Sequence, residues 1–283
     1  MAVLSPLFTA LFDDAAMFPP ADLPLPAAIR GHARHRLSWY ADMVGPFVCN
    51  ARRLPELAAI VDELRLSGGT PMAVAAVVPE GVEHVADVLG DAARHPQLTV
   101  RAVEVPLRNA SLDDGLRLLE PLRAGGIDCY LELPVTAVDD RQVHRLGDAG
   151  VRLKLRTGGT SIDAFHTERE LAAPLVMCAA ERLPFKCTAG LHNAVRHRDQ
   201  QTRFEHHGFL NVVLAARVAA ATGSADATAA ALAQRDATEV AAQVRGLSAR
   251  DVAAVRAMFC SFGTCSIAEP VADLVAMGLV AAP

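Results

Sequence analysis

The chain alternates short runs of apolar and β-branched residues with longer segments whose apolar residues recur every three or four positions. The short runs predict strands, and the longer segments predict helices. The predicted strands are Met43–Cys49, Met72–Val78, Leu98–Val105, Ile127–Leu133, Val151–Arg156 and Pro184–Thr188. The helices predicted between them are Leu54–Leu66, Val82–Arg94, Leu112–Ala124, Asp139–Gly147 and Glu168–Arg182. This succession is typical of parallel strands joined by helical crossovers.

At 283 residues, the leading fold is an α/β protein of the (β/α)8 TIM-barrel type, and a doubly wound open parallel sheet is the alternative. The last third is less regular, since four Ala-rich segments have helical patterns: His207–Ala221, Asp226–Gln234, Thr238–Val244 and Ser248–Ala257. A barrel then needs its seventh strand near Gly208–Val213 and its eighth near Met258–Gly263. We expect one domain over residues 1–283. Within it, we expect residues 1–26 to form an N-terminal extension that lies across one end of the barrel. The alternative is that Asp13 or Asp14 of this segment contributes to the functional site.

Composition narrows the classes of function. The chain is 52% hydrophobic, carries a net charge of −5 and has no run of lysine and arginine. Nucleic-acid grooves and polybasic membrane anchors need concentrated positive charge, so these partners are excluded. Six cysteines without CxxC spacing indicate reduced thiols. Because the N-terminus is a poor signal peptide and no long uncharged apolar run follows, we expect a cytoplasmic protein, and we leave open whether it is a homo-oligomer.

Only two of the 27 basic residues are lysines, Lys154 and Lys186. A lysine amine can lose its proton and act as a nucleophile or base, whereas a guanidinium stays charged. Strand periodicity places the apolar residues of Val151–Arg156 and of Pro184–Thr188 against the helices, so both lysines face into the barrel. Both also lie near the carboxyl ends of consecutive strands, where barrel enzymes place their active sites.

The loop that follows the first of these strands predicts an anion site. Its residues include two glycines, and such loops expose backbone N–H groups that suit a phosphate or carboxylate beside Arg156. The predicted substrate-binding residues are Arg156, Thr157, Gly158, Gly159, Thr188 and Gly190.

Two inward ammonium groups on adjacent strands disfavour each other's charge, so the pKa of one lysine should fall toward neutrality. A lysine of lowered pKa can attack a carbonyl group and form an imine. Glu104 and Glu132, each two residues before a proline that ends its strand, are candidate proton carriers. His192, in the loop after Lys186, is a further candidate for acid–base work. The alternative is that these carboxylates only neutralise the lysines.

A second hypothesis is a metal-dependent hydrolase or isomerase that holds a divalent metal with His192, Glu205, His206 and His207. The spacing of these residues matches no known metal motif. A third hypothesis is a non-enzymatic module that binds a small anion. An enzyme is favoured over that module, because a binding site needs only arginines. The imine hypothesis requires no cofactor.

Four stretches of the chain resemble a family of uncharacterised, barrel-like bacterial proteins: FDDAAMFPPA, KLRTGG, PFKCTAGLH and HGFLN. The paired lysines are similar in layout to class I aldolases of the deoxyribose-phosphate type, which implies imine chemistry, although KLRTGG departs from that family. The leading hypothesis is an aldolase-like lyase that forms a lysine imine with a small carbonyl substrate bearing phosphate or carboxylate. Lys186 is the predicted nucleophile because its neighbours Phe185 and Cys187 are apolar, and Lys154 is its electrostatic partner.

Overall fold

Eight parallel strands close into a barrel in the computed structural model, which describes residues 6–64, 70–92, 94–108 and 110–283. The strands are β1 (Phe12–Asp14), β2 (Val44–Asn50), β3 (Met72–Val77), β4 (Leu98–Pro106), β5 (Asp128–Leu133), β6 (Arg152–Arg156), β7 (Phe185–Thr188) and β8 (Phe259–Thr264). Each strand pairs with the next along the chain, and β8 pairs with β1. The predicted TIM-type barrel is confirmed, and the open sheet is wrong because no barrel edge is left unpaired among the described strands.

Ten of the described α-helices lie between successive strands in the chain, and an eleventh follows the last strand. They are α1 (Leu25–Arg36), α2 (Leu54–Glu63), α3 (Val85–Ala92), α4 (Leu112–Ala124), α5 (Asp140–Ala149), α6 (Glu168–Glu181), α7 (Phe209–Thr222), α8 (Ala225–Ala233), α9 (Ala237–Arg245), α10 (Ala249–Met258) and α11 (Ala268–Ala276). A two-stranded antiparallel hairpin, His197–Arg198 with Glu205–His206, follows β7. No helix in the described ranges combines the length and apolar character needed to cross a bilayer.

Two predictions about the barrel are wrong. The segment Gly208–Val213 begins helix α7 instead of forming the seventh strand. Its residues are buried without a break, and an apolar run of this kind fits a buried helix as well as a buried strand. The missing strand is β1, within the segment 1–26 predicted as an extension; Phe12–Asp14 is buried and pairs with β2 and β8. Three residues with two aspartates carry too little apolar pattern to indicate a strand.

The other predicted strands and helices form within one to three residues of the expected bounds wherever they are described. The end of the predicted helix Leu54–Leu66, one residue of Val82–Arg94 and residues 1–5 of the predicted extension lie outside the described residues. Helix α10 begins with a capping box, in which Ser248 and Asp251 exchange side-chain and backbone hydrogen bonds.

Side chains on each strand alternate between two environments. The outward side chains of β6 and β7, such as Leu153 and Phe185, are fully buried against the helices. Inside the barrel, the apolar side chains form a separate cluster that consists mostly of small residues: Ala15, Val48, Ala75, Ala102 and Tyr130. Small interior residues leave room for long charged side chains, which enter from the same strands.

Candidate active site

Lys154 and Lys186 are partners in the register of β6 and β7, and both are buried inside the barrel. They belong to a row of six side chains that alternate in charge, which we call the charge ladder. Its members, in order of contact, are Asp13, Lys186, Glu104, Lys154, Glu132 and Arg156. Side-chain exposure rises from 2% at Asp13 to 49% at Arg156, so the ladder runs from the barrel interior to its opening. With three positive and three negative groups, the charge ladder has a formal net charge of zero.

The inner half of the ladder centres on Lys186. Its Nζ donates to Asp13 Oδ2 and to Glu104 Oε1, both at 2.5 Å. Ser261 on β8 donates from Oγ to the same oxygen of Asp13 at 2.6 Å. The Tyr130 ring lies below, with its centroid 5.3 Å from the ammonium nitrogen. Lys186 is therefore enclosed by two carboxylates and an aromatic ring.

These contacts overturn the expected effect on Lys186. Burial opposes its charged form, but Asp13 and Glu104 outweigh burial and raise the pKa of Lys186 well above its ordinary value. The prediction of a lowered pKa gave the neighbouring ammonium of Lys154 more weight than the carboxylates expected near it. It is wrong for Lys186 because β1, which carries Asp13, was not recognised as a strand.

The outer half of the ladder centres on Lys154. Its Nζ lies 2.8 Å from Glu104 Oε2 and 2.9 Å from Glu132 Oε2. Arg156 donates from Nε to the other oxygen of Glu132 at 2.9 Å. Each carboxylate beside Lys154 is thus shared with a second cation, Lys186 in one case and Arg156 in the other.

The two glutamates have different roles. Burial opposes ionisation of Glu104, but Lys154 and Lys186 outweigh it and lower the pKa of Glu104 to about 2. Glu104 is therefore a fixed anion that holds both lysines. Burial also opposes ionisation of Glu132, and Lys154 and Arg156 lower its pKa. Because its side chain is 16% exposed, Glu132 is the ladder carboxylate nearest to the opening.

Glu104 should make the stability of the protein depend on pH. Its folded pKa lies below the ordinary value of 4.5, so its contribution is present above pH 4.5 and is lost as pH falls toward 2. The shift corresponds to roughly 3 kcal/mol. Urea unfolding at pH 6 and pH 3 should show a smaller loss of unfolding free energy in Glu104→Gln than in the unmodified protein. The exposed Glu120→Gln variant is the control, and equal losses in all three proteins would contradict the assignment.

Thr157 ties two loops together at the carboxyl end of the barrel. Its hydroxyl donates to the carbonyl oxygen of Ala189 at 2.6 Å, and its backbone N–H donates to Thr188 O at 2.9 Å. Because the Thr157 side chain is buried, its hydrogen bonds hold the two loops together and do not face solvent. Half-buried Thr188 lies opposite Arg156 in the register of β6 and β7.

Gly158 and Gly190 pack backbone against backbone, and Gly159 packs against the side chain of Ala164. A Cβ at Gly158 would lie 2.7 Å from Gly190 Cα, and a Cβ at Gly159 would lie 2.7 Å from Ala164 Cβ. Gly190 also has a φ of +75°, which favours glycine. Close packing of the loops thus accounts for all three glycines. Anion binding by this loop stays a prediction, and the nearby Arg156 is the most exposed member of the charge ladder.

The four residues of the metal hypothesis are not grouped as ligands. His206 donates from Nδ1 to Gly190 O at 3.2 Å. His207 accepts from Arg196 through Nδ1 at 3.0 Å and donates from Nε2 to His166 O at 2.9 Å. Burial and Arg196 lower the pKa of His207 to about 4, so its ring is neutral and both nitrogens are occupied.

Glu205 and His192 have other partners as well. Glu205 accepts from Arg235 at 2.5 Å, and His192 contacts Glu269 at 2.9 Å. Within the described part of the chain, no three histidine, cysteine or acidic side chains form a set that would hold a metal ion. His192 also contacts no member of the charge ladder among the contacts described, so its predicted role beside the lysines has no support from this geometry.

Sequence reasoning named Asp13 only as an alternative and gave Ser261 no role. Both reach the site because the barrel closes between β1 and β8. Gly45 on β2 gives Asp13 its space, since a Cβ there would overlap Asp13 Oδ1. The signal that was available is the pair Asp13–Asp14 in an otherwise apolar segment, since buried carboxylates need a cationic partner. Asp14 is not a member of the charge ladder; its carboxylate lies 3.0 Å from Nδ1 of His32 on α1.

No protein-family model and no curated protein matches the chain. Solved structures do match. The tetrameric deoxyribose phosphate aldolase from Aeropyrum pernix is 13% identical, with a TM-score of 0.52, and the match covers 98% of this chain and 94% of that one. The aldolase QR15 is 11% identical, with a TM-score of 0.50, and both chains are covered in full. At these identities the likeness establishes a shared fold, the TIM barrel that both aldolases have.

Proposed function

We propose that the protein is an aldolase-like lyase that forms an imine between Lys154 and a small carbonyl substrate. The observation that carries the proposal is the sharing of carboxylates along the charge ladder. It assigns the two lysines different roles and exchanges those that strand periodicity alone suggested.

The roles of the two lysines are exchanged because loss of the proton from each one has a different effect on the carboxylates that contact it. If Lys154 becomes neutral, Glu104 keeps Lys186 and Glu132 keeps Arg156. If Lys186 becomes neutral, Asp13 keeps only the hydroxyl of Ser261 among its described partners. Asp13 then either stays an uncompensated buried carboxylate, which costs several kcal/mol, or takes up a proton, since burial raises its pKa; the inner ion pair is lost in both cases. Lys154 is therefore the lysine whose amine can act as the nucleophile, and Lys186 is a permanent cation.

The charge ladder also suits the intermediate. An imine that takes up a proton carries the same single positive charge as the lysine ammonium, at nearly the same place. Glu104 and Glu132, which contact Lys154 at 2.8 and 2.9 Å, then stabilise that cation. A cationic imine withdraws electrons from the neighbouring carbon–carbon bond, which is the step a lyase of this type needs.

Glu132 is the candidate proton carrier. It contacts Lys154, lies nearer to the opening than Glu104, and is ionised at neutral pH because Lys154 and Arg156 lower its pKa. It can accept a proton from the amine or from a substrate hydroxyl. Arg156, half-exposed beside it, is the group that would meet a carboxylate or phosphate of the substrate.

Borohydride trapping tests this assignment. The protein is incubated with small aldehydes and 2-oxo acids, reduced, and digested with trypsin. Because a modified lysine resists cleavage, the adducts fall on separate peptides, Leu153–Arg156 for Lys154 and Leu183–Arg196 for Lys186. We expect a mass increase on the first peptide.

Two matched variants complete the experiment. Lys154→Arg should abolish the adduct, whereas Lys186→Arg, which keeps the inner charge, should retain it on Lys154. Circular dichroism checks that both variants are folded. An adduct on Lys186 would contradict the assignment of roles. No adduct with any carbonyl compound tested would overturn the imine mechanism.

A further inference from the structure

A second group of reactive side chains lies at the carboxyl end of the barrel, outside the charge ladder. Cys265 directly follows β8, His192 lies in the loop after β7, and Glu269 is in the first turn of α11. The loops after β7 and β8 are a common place for substrate groups in TIM barrels. In this chain they bring together a thiol, an imidazole and a carboxylate.

The contacts assign a role to each group. Glu269 Oε2 lies 2.9 Å from His192 Nδ1, and the Cys265 sulfur lies 3.9 Å from both ring nitrogens. A carboxylate can only accept a hydrogen bond, so His192 Nδ1 carries a proton, and Nε2 is the ring nitrogen that can serve as the base. A nucleophile beside a base that a third group orients is the usual arrangement of an activated thiol, and the first contact is often this loose without substrate.

Cys265 differs from the other cysteines, all six of which are described. Cys49, Cys129, Cys178 and Cys187 are buried, and Cys260 packs against the small residues inside the barrel. Cys265 is half-buried and is the cysteine that contacts a histidine. Burial raises the pKa of its thiol, so the resting group keeps its proton and needs a base when it reacts.

We propose that Cys265, His192 and Glu269 form a second carbonyl site, in which the thiol adds reversibly to an aldehyde. A sulfur–carbon bond forms as the carbon–oxygen double bond becomes a single bond. His192 Nε2 takes the thiol proton and delivers it to the aldehyde oxygen, giving a neutral thiohemiacetal. The step needs no leaving group, oxidant or metal, and the three groups present are sufficient for it. The site does not depend on an imine at Lys154.

NMR with propanal labelled with ¹³C at the carbonyl carbon tests the proposal. A thiohemiacetal carbon is tetrahedral and an imine carbon is trigonal, so their resonances are well separated. We expect a tetrahedral protein-bound resonance that disappears in Cys265→Ala and persists in the matched variant Cys260→Ala. It should saturate at an aldehyde concentration at least tenfold lower than that needed by N-acetylcysteine. A resonance that persists in Cys265→Ala, or an affinity no better than that of the free thiol, would overturn the site.

The role of His192 has its own readout. A proton carrier changes the rate of addition and leaves the equilibrium in place. His192→Gln should therefore slow exchange between free and bound aldehyde by about 100-fold, with occupancy changed less than threefold. An unchanged exchange rate would overturn the assignment of His192. Because the imine resonance is observed in the same spectra, failure of the thiol site and failure of the proposed lysine imine are distinguishable.

Discussion

Replacing Lys186 by methionine is expected to lower the free energy of unfolding by about 3–5 kcal/mol, the range found when one partner of a buried ion pair is removed. The side chain is fully buried, and its ammonium contacts Asp13 and Glu104 at 2.5 Å. Methionine fills a similar volume but leaves Asp13 without a cation among its described partners. Since a domain is typically stable by 5–15 kcal/mol, the variant will unfold at a much lower urea concentration.

Two further variants make this measurement specific. Asp13→Asn removes the stranded charge, so the double variant with Lys186→Met should recover about 2 kcal/mol relative to Lys186→Met alone. Arg156→Met removes the cation at the exposed end of the same charge ladder and should change stability by less than about 1 kcal/mol. Equal losses at Lys186 and Arg156, or no recovery in the double variant, would refute the inner ion pairs.

The sequence alone predicted the positions of both lysines, because the two-residue period of a strand is a local property. Alternation in β6 and β7 points Lys154 and Lys186 inward, and alternation in β4 and β5 does the same for Glu104 and Glu132. All four lie on consecutive strands. Their meeting follows from local pattern plus the rule that successive strands pair in parallel.

The chemical roles depend on contacts that the local pattern does not contain. Asp13 is 173 residues from Lys186, and Ser261 is 248 residues from Asp13. These side chains meet because β1 pairs with β8. If that closure is left out, the two ammonium groups only repel each other, and Lys186 is the easier amine to deprotonate. With it, Lys186 is a fixed cation and Lys154 becomes the candidate nucleophile.

The loop glycines show the same limit. A Gly-Gly pair after a strand predicts exposed backbone N–H groups, but it equally permits two loops to touch. In this fold Gly158 and Gly190 approach each other so closely that neither has room for a side chain. Whether such a pair exposes N–H groups or packs against another loop depends on that other loop. For Gly158, the contacting residue is Gly190, 32 positions later in the sequence.

Gly158→Ala should therefore destabilise the protein by roughly 2–3 kcal/mol, the usual cost of forcing a group into a filled space. The new Cβ would lie 2.7 Å from Gly190 Cα and 2.9 Å from Phe165 Cε1, so the loops after β6 and β7 must separate. Gly147→Ala is the matched control. Gly147 is exposed on α5, and no atom lies within 4 Å of the position its Cβ would take. Alanine there should raise the free energy of unfolding by about 0.5–1 kcal/mol, because alanine favours a helix more than glycine does.

The same pair of variants links the loops to the chemistry. Arg156 and Thr157 connect the Gly158 loop to β6, so separation of the loops moves the open end of the charge ladder. We expect Gly158→Ala to reduce borohydride trapping on Lys154 at least tenfold at a temperature where the variant is still folded, and Gly147→Ala to trap at the original rate. Urea unfolding and peptide mass spectrometry measure the two effects separately. If Gly158→Ala is as stable as the unmodified protein, the close approach of the loops is wrong; if it is destabilised but traps normally, the loops support the fold without positioning Lys154.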